Sequence, residues 1–239
     1  MKVPILMYHS IPEVIDCKVM RSLHVSLKSF SKQMWLLYKM GFKGCSISEF
    51  LRKEDKIFGQ KLIPITFDDA YLNFYTNAFP VLKKYNFTAT VYAVSGLVGG
   101  KNQWDFDKGI KKLDLMNYDQ LKDVMQAGIE IGCHTYSHVD LREVGVDLEK
   151  EIRASKLKLE SELDFRCESF CYPYGGFNSD AVDMVRASGF QSAVTMIRSR
   201  VSSSDSAFTL PRVPVNFNTP LYLFWTKIFT AYEDRRRYK

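Results

Sequence analysis

Short apolar runs of strand length alternate with amphipathic stretches of helical period along most of this chain. The first run, residues 3–8, leaves into His9-Ser10-Ile11-Pro12, and residues 13–26 show no clean period. From a cap at Ser29, the side chains Phe30, Met34, Leu37 and Tyr38 recur at helical spacing until Gly41, which predicts a helix with one buried face. An apolar piece at 45–47 leads into a short helix near 48–53. Leu62, Ile63, Ile65 and Phe67 then form a run that suits a strand enclosed on both faces, and it ends abruptly in Asp68 and Asp69. An aromatic-rich helix over 71–85 follows, with Pro80 as a kink.

The second half repeats this rhythm. Strands are predicted at 88–94, 129–134, 169–172, 191–195 and 210–215, and helices at 118–127, 147–163 and 179–189. No linker, low-complexity tract or repeat interrupts them. Residues 1–239 therefore read as a single α/β domain, and about seven buried strands predict a closed or nearly closed parallel barrel rather than an open sheet.

Composition changes the picture in two ways. With 46% hydrophobic and 14% aromatic residues among 239, the chain can build a sizeable core. The formal charge of +6 is concentrated at Arg235, Arg236, Arg237 and Lys239 rather than on a recognition face, so nucleic acid is excluded as a partner. The amino terminus lacks a secretory-length apolar region, and no run of about eighteen apolar residues is present to span a bilayer. The five cysteines show no metal-type pairing and suit reduced thiols in a cytoplasmic protein.

Two stretches carry candidate chemistry. Adjacent carboxylates at a strand end repel each other, which favours a metal or a strong donor beside them, although a helix N-cap would explain one of the two. His134-Thr135-Tyr136-Ser137-His138 follows a strand in the same way, and two imidazoles four residues apart can converge on one ion. Either histidine alone would read as structural. In a parallel barrel both stretches face the same mouth. Two histidines and one aspartate would make a three-ligand metal site, leaving the other aspartate as a general base for hydrolysis.

Thr66-Phe67-Asp68-Asp69-Ala70, His134-Thr135-Tyr136-Ser137-His138 and Tyr172-Pro173-Tyr174-Gly175 resemble, in order and spacing, the first three motifs of the polysaccharide deacetylase family. The run through Gly128-Ile129-Glu130-Ile131-Gly132 is similar as well, so the resemblance covers nearly the whole chain. It implies a distorted (β/α) barrel and removal of an N-acetyl or other N-acyl group from an amino sugar. It makes Asp68 the general base, Asp69, His134 and His138 the ligands of a divalent metal, and the Tyr174 N–H a donor to the oxyanion. Zinc is the default for this ligand set, with nickel, cobalt or iron as alternatives.

The sequence departs from the family pattern in places. Ala70 replaces the usual Gly, and Cys171 replaces the Arg before the Pro-Tyr motif, so Arg212 becomes the candidate for orienting Asp68. No late Leu-x-His supplies a general acid. A branch similar to the poly-N-acetylglucosamine deacetylases uses a histidine in an early Met-Tyr-His segment, and Met7-Tyr8-His9 assigns that role to His9, against a plain loop histidine. Pro173, Trp104 and Asp105 are candidates to line the sugar site. His24 reads as structural or surface, and Cys133 as a small core residue.

The apolar segment 220–232 with its basic end reads as a helix covering the barrel, or as peripheral contact with an anionic membrane through 220–239. A lipid-linked sugar would suit such a contact. Two other readings of the chain stand beside the deacetylase: a hydrolase of a non-sugar amide or imide, and a barrel that binds carbohydrate without catalysis.

Overall fold

The computed structural model describes residues 2–16, 19–52, 61–109 and 111–237, apart from the side chains of Asp105, Asp107 and Lys108. The strands are β1 (Leu6–Tyr8), β2 (Phe42–Cys45), β3 (Lys61–Phe67), β4 (Thr90–Ala93), β5 (Glu130–Cys133), β6 (Ser169–Cys171), β7 (Ser192–Arg198) and β8 (Leu210–Pro214). They hydrogen-bond in the order β1-β8-β7-β6-β5-β4-β3, and β3 pairs back with β1, so seven parallel strands close a barrel. Helices cover it: α1 (Leu27–Lys39), α2 (Ile47–Arg52), α3 (Phe79–Lys84), α4 (Tyr118–Gln126), α5 (Ser155–Leu163), α6 (Ser179–Ala187) and α7 (Leu221–Phe229).

The strands are nearly continuous apolar runs because both faces are enclosed. Strand β2 lies outside the ring and pairs only with the first half of β3, from Phe42 opposite Lys61 to Cys45 opposite Pro64. Pro64, which has no N–H to offer a ladder, stands at the last residue facing β2, just before β1 takes over at Ile65. At that closing seam, Tyr8 stacks on Phe67 with centroids 5.4 Å apart, and Phe30 and Phe74 meet Phe67 edge-on at 5.7 and 4.7 Å. Each such pair adds about 0.5–1.5 kcal/mol beyond its burial. The rings lock α1 onto the seam.

Several boundaries differ from those expected. α1 starts at Leu27, because Ser26 is the cap and its Oγ accepts the Ser29 N–H at 3.3 Å. β1 begins at Leu6, since Val3 bridges in antiparallel fashion to Val201 instead. Pro80 does not kink a helix. The irregularity lies just upstream as a π-helical stretch, Phe74–Ala78, and Pro80 sits in the first turn of α3, where a missing N–H costs nothing. A second π-helical stretch, Glu149–Ala154, precedes α5.

α7 buries Phe224 and Ile228 and exposes Leu221, Tyr222 and Trp225. The chain end is tied down by charge. Glu233 is buried between Lys227 and Arg198, Asp234 pairs with Arg200 and Lys2, and Arg237 pairs with Asp205. Lys239 lies outside the described residues. Among the described residues no helix is long and apolar enough to cross a membrane.

Candidate active site

Parallel strands point all their carboxyl ends to one mouth, and the candidate residues leave them there: His9 after β1, Asp68 and Asp69 after β3, His134 after β5, Pro173 and Tyr174 after β6. Arg212 differs, because it lies within β8 and points into the barrel, fully buried. The Asp68 N–H continues the ladder to the Tyr8 carbonyl at 3.0 Å. The chain then turns through left-handed backbone at Asp69 (φ 73°) and Ala70 (φ 53°). An alanine there costs roughly 1 kcal/mol relative to the expected glycine. The turn separates the two neighbouring carboxylates onto different partners.

Asp68 is held by Arg212 in a bidentate pair, Nη1 to Oδ1 at 2.7 Å and Nη2 to Oδ2 at 2.8 Å. The guanidinium spends its remaining N–H groups on the Thr195 carbonyl (2.8 Å), Thr66 Oγ1 (3.1 Å) and Cys171 Sγ (3.3 Å). All five donors of the buried fork are thereby met. Cys171, standing where an arginine was expected, thus meets the guanidinium of Arg212 through its Sγ. His9 Nε2 lies 3.6 Å from Asp68 Oδ2. Burial alone would raise the Asp68 carboxyl, but the charges of Arg212 and His9 hold it below its ordinary value.

Asp69 faces the histidines. Its Oδ1 lies 3.2 Å from His138 Nε2 and 3.5 Å from His134 Nε2, and it is buried without accepting a hydrogen bond. His134 Nδ1 lies 2.8 Å from the Cys171 carbonyl, which can only accept, so Nδ1 carries a proton and Nε2 is the nitrogen turned to Asp69. Two imidazoles and a carboxylate thus bring ligand atoms within 4.8 Å of one another, all buried. This donor set fits a divalent metal. Burial would raise Asp69 as well, yet the two imidazoles hold it well below the carboxylate range. Asp68, His134 and Cys171 also lie close together, but the guanidinium at Cys171 and Asp68 opposes a cation between them.

The rim is aromatic. Trp104 stacks on His138 with centroids 4.3 Å apart, and Tyr174 meets it edge-on at 4.7 Å. These rings, with Ser137, Val139, Asp140 and Glu143, line an open cleft of about 520 Å³. Tyr174 is 37% exposed and has φ 55°, whereas Pro173 beside it is buried. The side chain of Asp105 lies outside the described ones. At Gly176 a Cβ would sit 1.9 Å from Asp140 Oδ1, so a larger residue there would displace the Asp140 side chain at the cleft. His24 is buried, not on the surface, and Cys133 is a core residue beside Ser155.

Sequence reasoning missed Thr66 and Thr195, which hold Arg212, and Glu151, which grips the turn between the two histidines. It also missed Asn73 and Asn77, whose amides hold Ser10 and Ile11 next to His9. Only Glu151 left a signal. It falls on the buried stripe of Ser155, Leu159 and Leu163 at intervals of four, where a glutamate is out of place.

The family model described as polysaccharide deacetylase matches residues 55–193. That span holds both aspartates, both metal-side histidines, Pro173 and Tyr174, whereas His9 and Arg212 lie outside it. The Bacillus subtilis (strain 168) protein YxkH, named for the same family, is 30% identical over 218 residues, 90% of this chain and 72% of its own. A poly-beta-1,6-N-acetyl-D-glucosamine N-deacetylase of Staphylococcus aureus is 25% identical over 211 residues, covering 83% of this chain and 70% of its own. The crystal structure of BC0361, a polysaccharide deacetylase from Bacillus cereus, superposes with a TM-score of 0.80 at 26% identity, over 95% of this chain and 69% of its own.

Proposed function

The chain belongs to the polysaccharide deacetylase family, and on that premise we propose that it hydrolyses an N-acetyl or other N-acyl group of an amino sugar. The substrate would be a polysaccharide or a lipid-linked glycan precursor. The observation that carries this reading is the division of two adjacent buried carboxylates, one against a guanidinium and one between imidazoles.

Asp69, His134 and His138 would hold a divalent metal, zinc by default. When bound, it supplies Lewis-acid polarisation of the acyl carbonyl. Asp68 takes a proton from the attacking water, and Arg212 keeps its carboxylate ionised and oriented for that step. The Tyr174 backbone N–H donates to the oxyanion as the carbonyl carbon becomes tetrahedral, stabilising charge that is absent in the ground state. His9 gives a proton to the nitrogen as the C–N bond breaks, so the amine leaves neutral. Trp104 and Tyr174, with Asp105 on the same turn as Trp104, would line the sugar, whereas Pro173 is buried. The half-exposed Trp104 and the exposed Tyr174 suit a pyranose ring better than a small polar imide, which favours the sugar over a non-sugar amide.

The deciding experiment measures metal content and amine release from short N-acetylglucosamine oligomers, for the native chain and Asp68→Asn. About one metal per chain, with turnover lost in the variant and metal kept, supports these roles. Metal without turnover moves the search to lipid-linked or non-sugar amides. No metal after reconstitution leaves a barrel that only binds.

For a lipid-linked substrate the reading extends to peripheral membrane contact through 220–239. The exposed Leu221, Tyr222 and Trp225 of α7 support it, because Trp and Tyr favour the interfacial region. The basic end contributes less than its charge suggests, since Arg237 is paired with Asp205. Replacing the three exposed side chains with serine should lower sedimentation with anionic vesicles. Equal sedimentation removes this part of the reading.

A further inference from the structure

His134 and His138 are separated by a turn of three residues that must bring two imidazoles to one point. The turn is strained: Thr135 has φ 62° and His138 has φ 64°, both in the left-handed region that non-glycine residues avoid. Neighbouring backbone pins its near side. The Ser95 N–H donates to the Thr135 carbonyl at 3.1 Å, and the Gly96 N–H to the Tyr136 carbonyl at 2.9 Å. The His138 N–H donates to Thr135 Oγ1 at 2.9 Å.

The far side is held by one side chain from a different element. Glu151 Oε2 accepts the N–H of Tyr136 at 3.0 Å and of Ser137 at 2.9 Å, and Oε1 accepts the Ser137 hydroxyl at 2.8 Å. Glu151 is only 5% exposed. Among the described residues it forms no ion pair, so its buried charge is offset by these three donors of the turn. It lies in the π-helical stretch Glu149–Ala154, a rare conformation that recurs near functional sites. A neighbouring Ile152, fully buried, anchors that stretch in the core.

We propose that Glu151 is a positioning residue for the metal centre: its carboxylate fixes the Tyr136–Ser137 turn so that His134 and His138 converge on Asp69. The proposal rests on the reading of Asp69, His134 and His138 as metal ligands. The two backbone N–H groups of the turn need an acceptor, and Oε2 supplies it to both, while the Ser137 hydroxyl adds a third bond at Oε1. Partners that orient metal ligands without touching the metal commonly change affinity about 10–100-fold when removed.

The test is zinc affinity of the full chain, by competition with a chromophoric chelator, for the native protein, Glu151→Leu and Ser137→Ala. The Leu variant, which leaves the turn without its acceptor, should bind zinc about 10–100-fold more weakly, and Ser137→Ala, which removes only the hydroxyl contact, about 3-fold more weakly. The cobalt-substituted Leu variant should show a shifted visible band, a signature that a merely structural role would not move. Native affinity in the folded Leu variant overturns the proposal. If that variant does not fold, an unchanged affinity in Ser137→Ala overturns it. A native chain that binds no zinc removes the metal reading itself, so the two failures are distinguishable.

Discussion

Asp68 and Asp69 are adjacent in sequence and equally buried, yet they belong to two different half-sites. In the Asp69 half both imidazoles come from one five-residue stretch after β5, whose turn Glu151 and the Ser95–Gly96 backbone hold. The Asp68 half is assembled across the closure of the barrel, from His9 after β1, Asp68 after β3 and Arg212 within β8. The permanent cation sits in that second half. Carboxylates of the same type and burial are thus given different tasks by what the fold sets beside each.

The largest effects should come from removing that cation. Arg212→Met leaves Asp68 buried and unpaired, and breaking such a pair costs about 3–5 kcal/mol. Asp69→Asn has no permanent cation to strand, so the metal-free protein should lose much less. Urea denaturation of both variants with a chelator present checks this. Equal losses would erase the distinction between the half-sites.

A second contrast concerns chemistry. His9→Gln should slow amine release by about 10²–10⁴-fold, the range for a general acid, with zinc content unchanged. His138→Gln should lose both zinc and turnover. If His9→Gln loses metal as well, the halves are not separate in function. The Asn73 amide supports the acid side, donating to Ser10 Oγ and accepting the Ile11 N–H, each at 2.8 Å. Asn73→Ala should slow turnover roughly tenfold without weakening zinc binding, the effect of misplacing a group by a fraction of an ångström. An unchanged rate would mean that the loop holds His9 unaided.

The same division governs what could be read from the sequence. The Asp69 half was legible because its two histidines share one five-residue stretch and Asp69 adjoins Asp68 at a strand end, and β3 to β8 were legible because strands enclosed on both faces are largely apolar runs. The partnership of Arg212 with Thr66 and Thr195 was not, since it exists only once the barrel closes. Arg212 itself was a candidate only through the family resemblance, which expects an arginine where Cys171 stands. β2 escaped as a member outside the ring, because its apolar residues look alike in either place. The π-helical stretches escaped too, since their wider turn cannot be told from a 3.6-residue period over five or six residues. Ser26 and Ser29 are equally good caps on paper, and only the hydrogen bond between them decides.

The smallest effect reaches the acid side through pH. His24 is buried with no hydrogen-bond partner for Nδ1, and its backbone brackets Ser10, the residue after His9. Burial, then the charges of His9 and Lys111, lower its pKa from 6.5 to about 4. The unfolded chain therefore takes up this proton first as pH falls. The resulting stability is complete above about pH 6.5 and is lost progressively down to about pH 4. Allowing for water that reaches the ring, about 1 kcal/mol is at stake. His24→Leu, which cannot take up the proton, should lose about that much less than the native chain between pH 7 and pH 4.5 in urea denaturation. Parallel losses would assign the acid sensitivity to carboxylates elsewhere. A smaller loss in the variant would make His24 the group through which acid loosens the segment that carries His9, while the Asp69 half is left untouched.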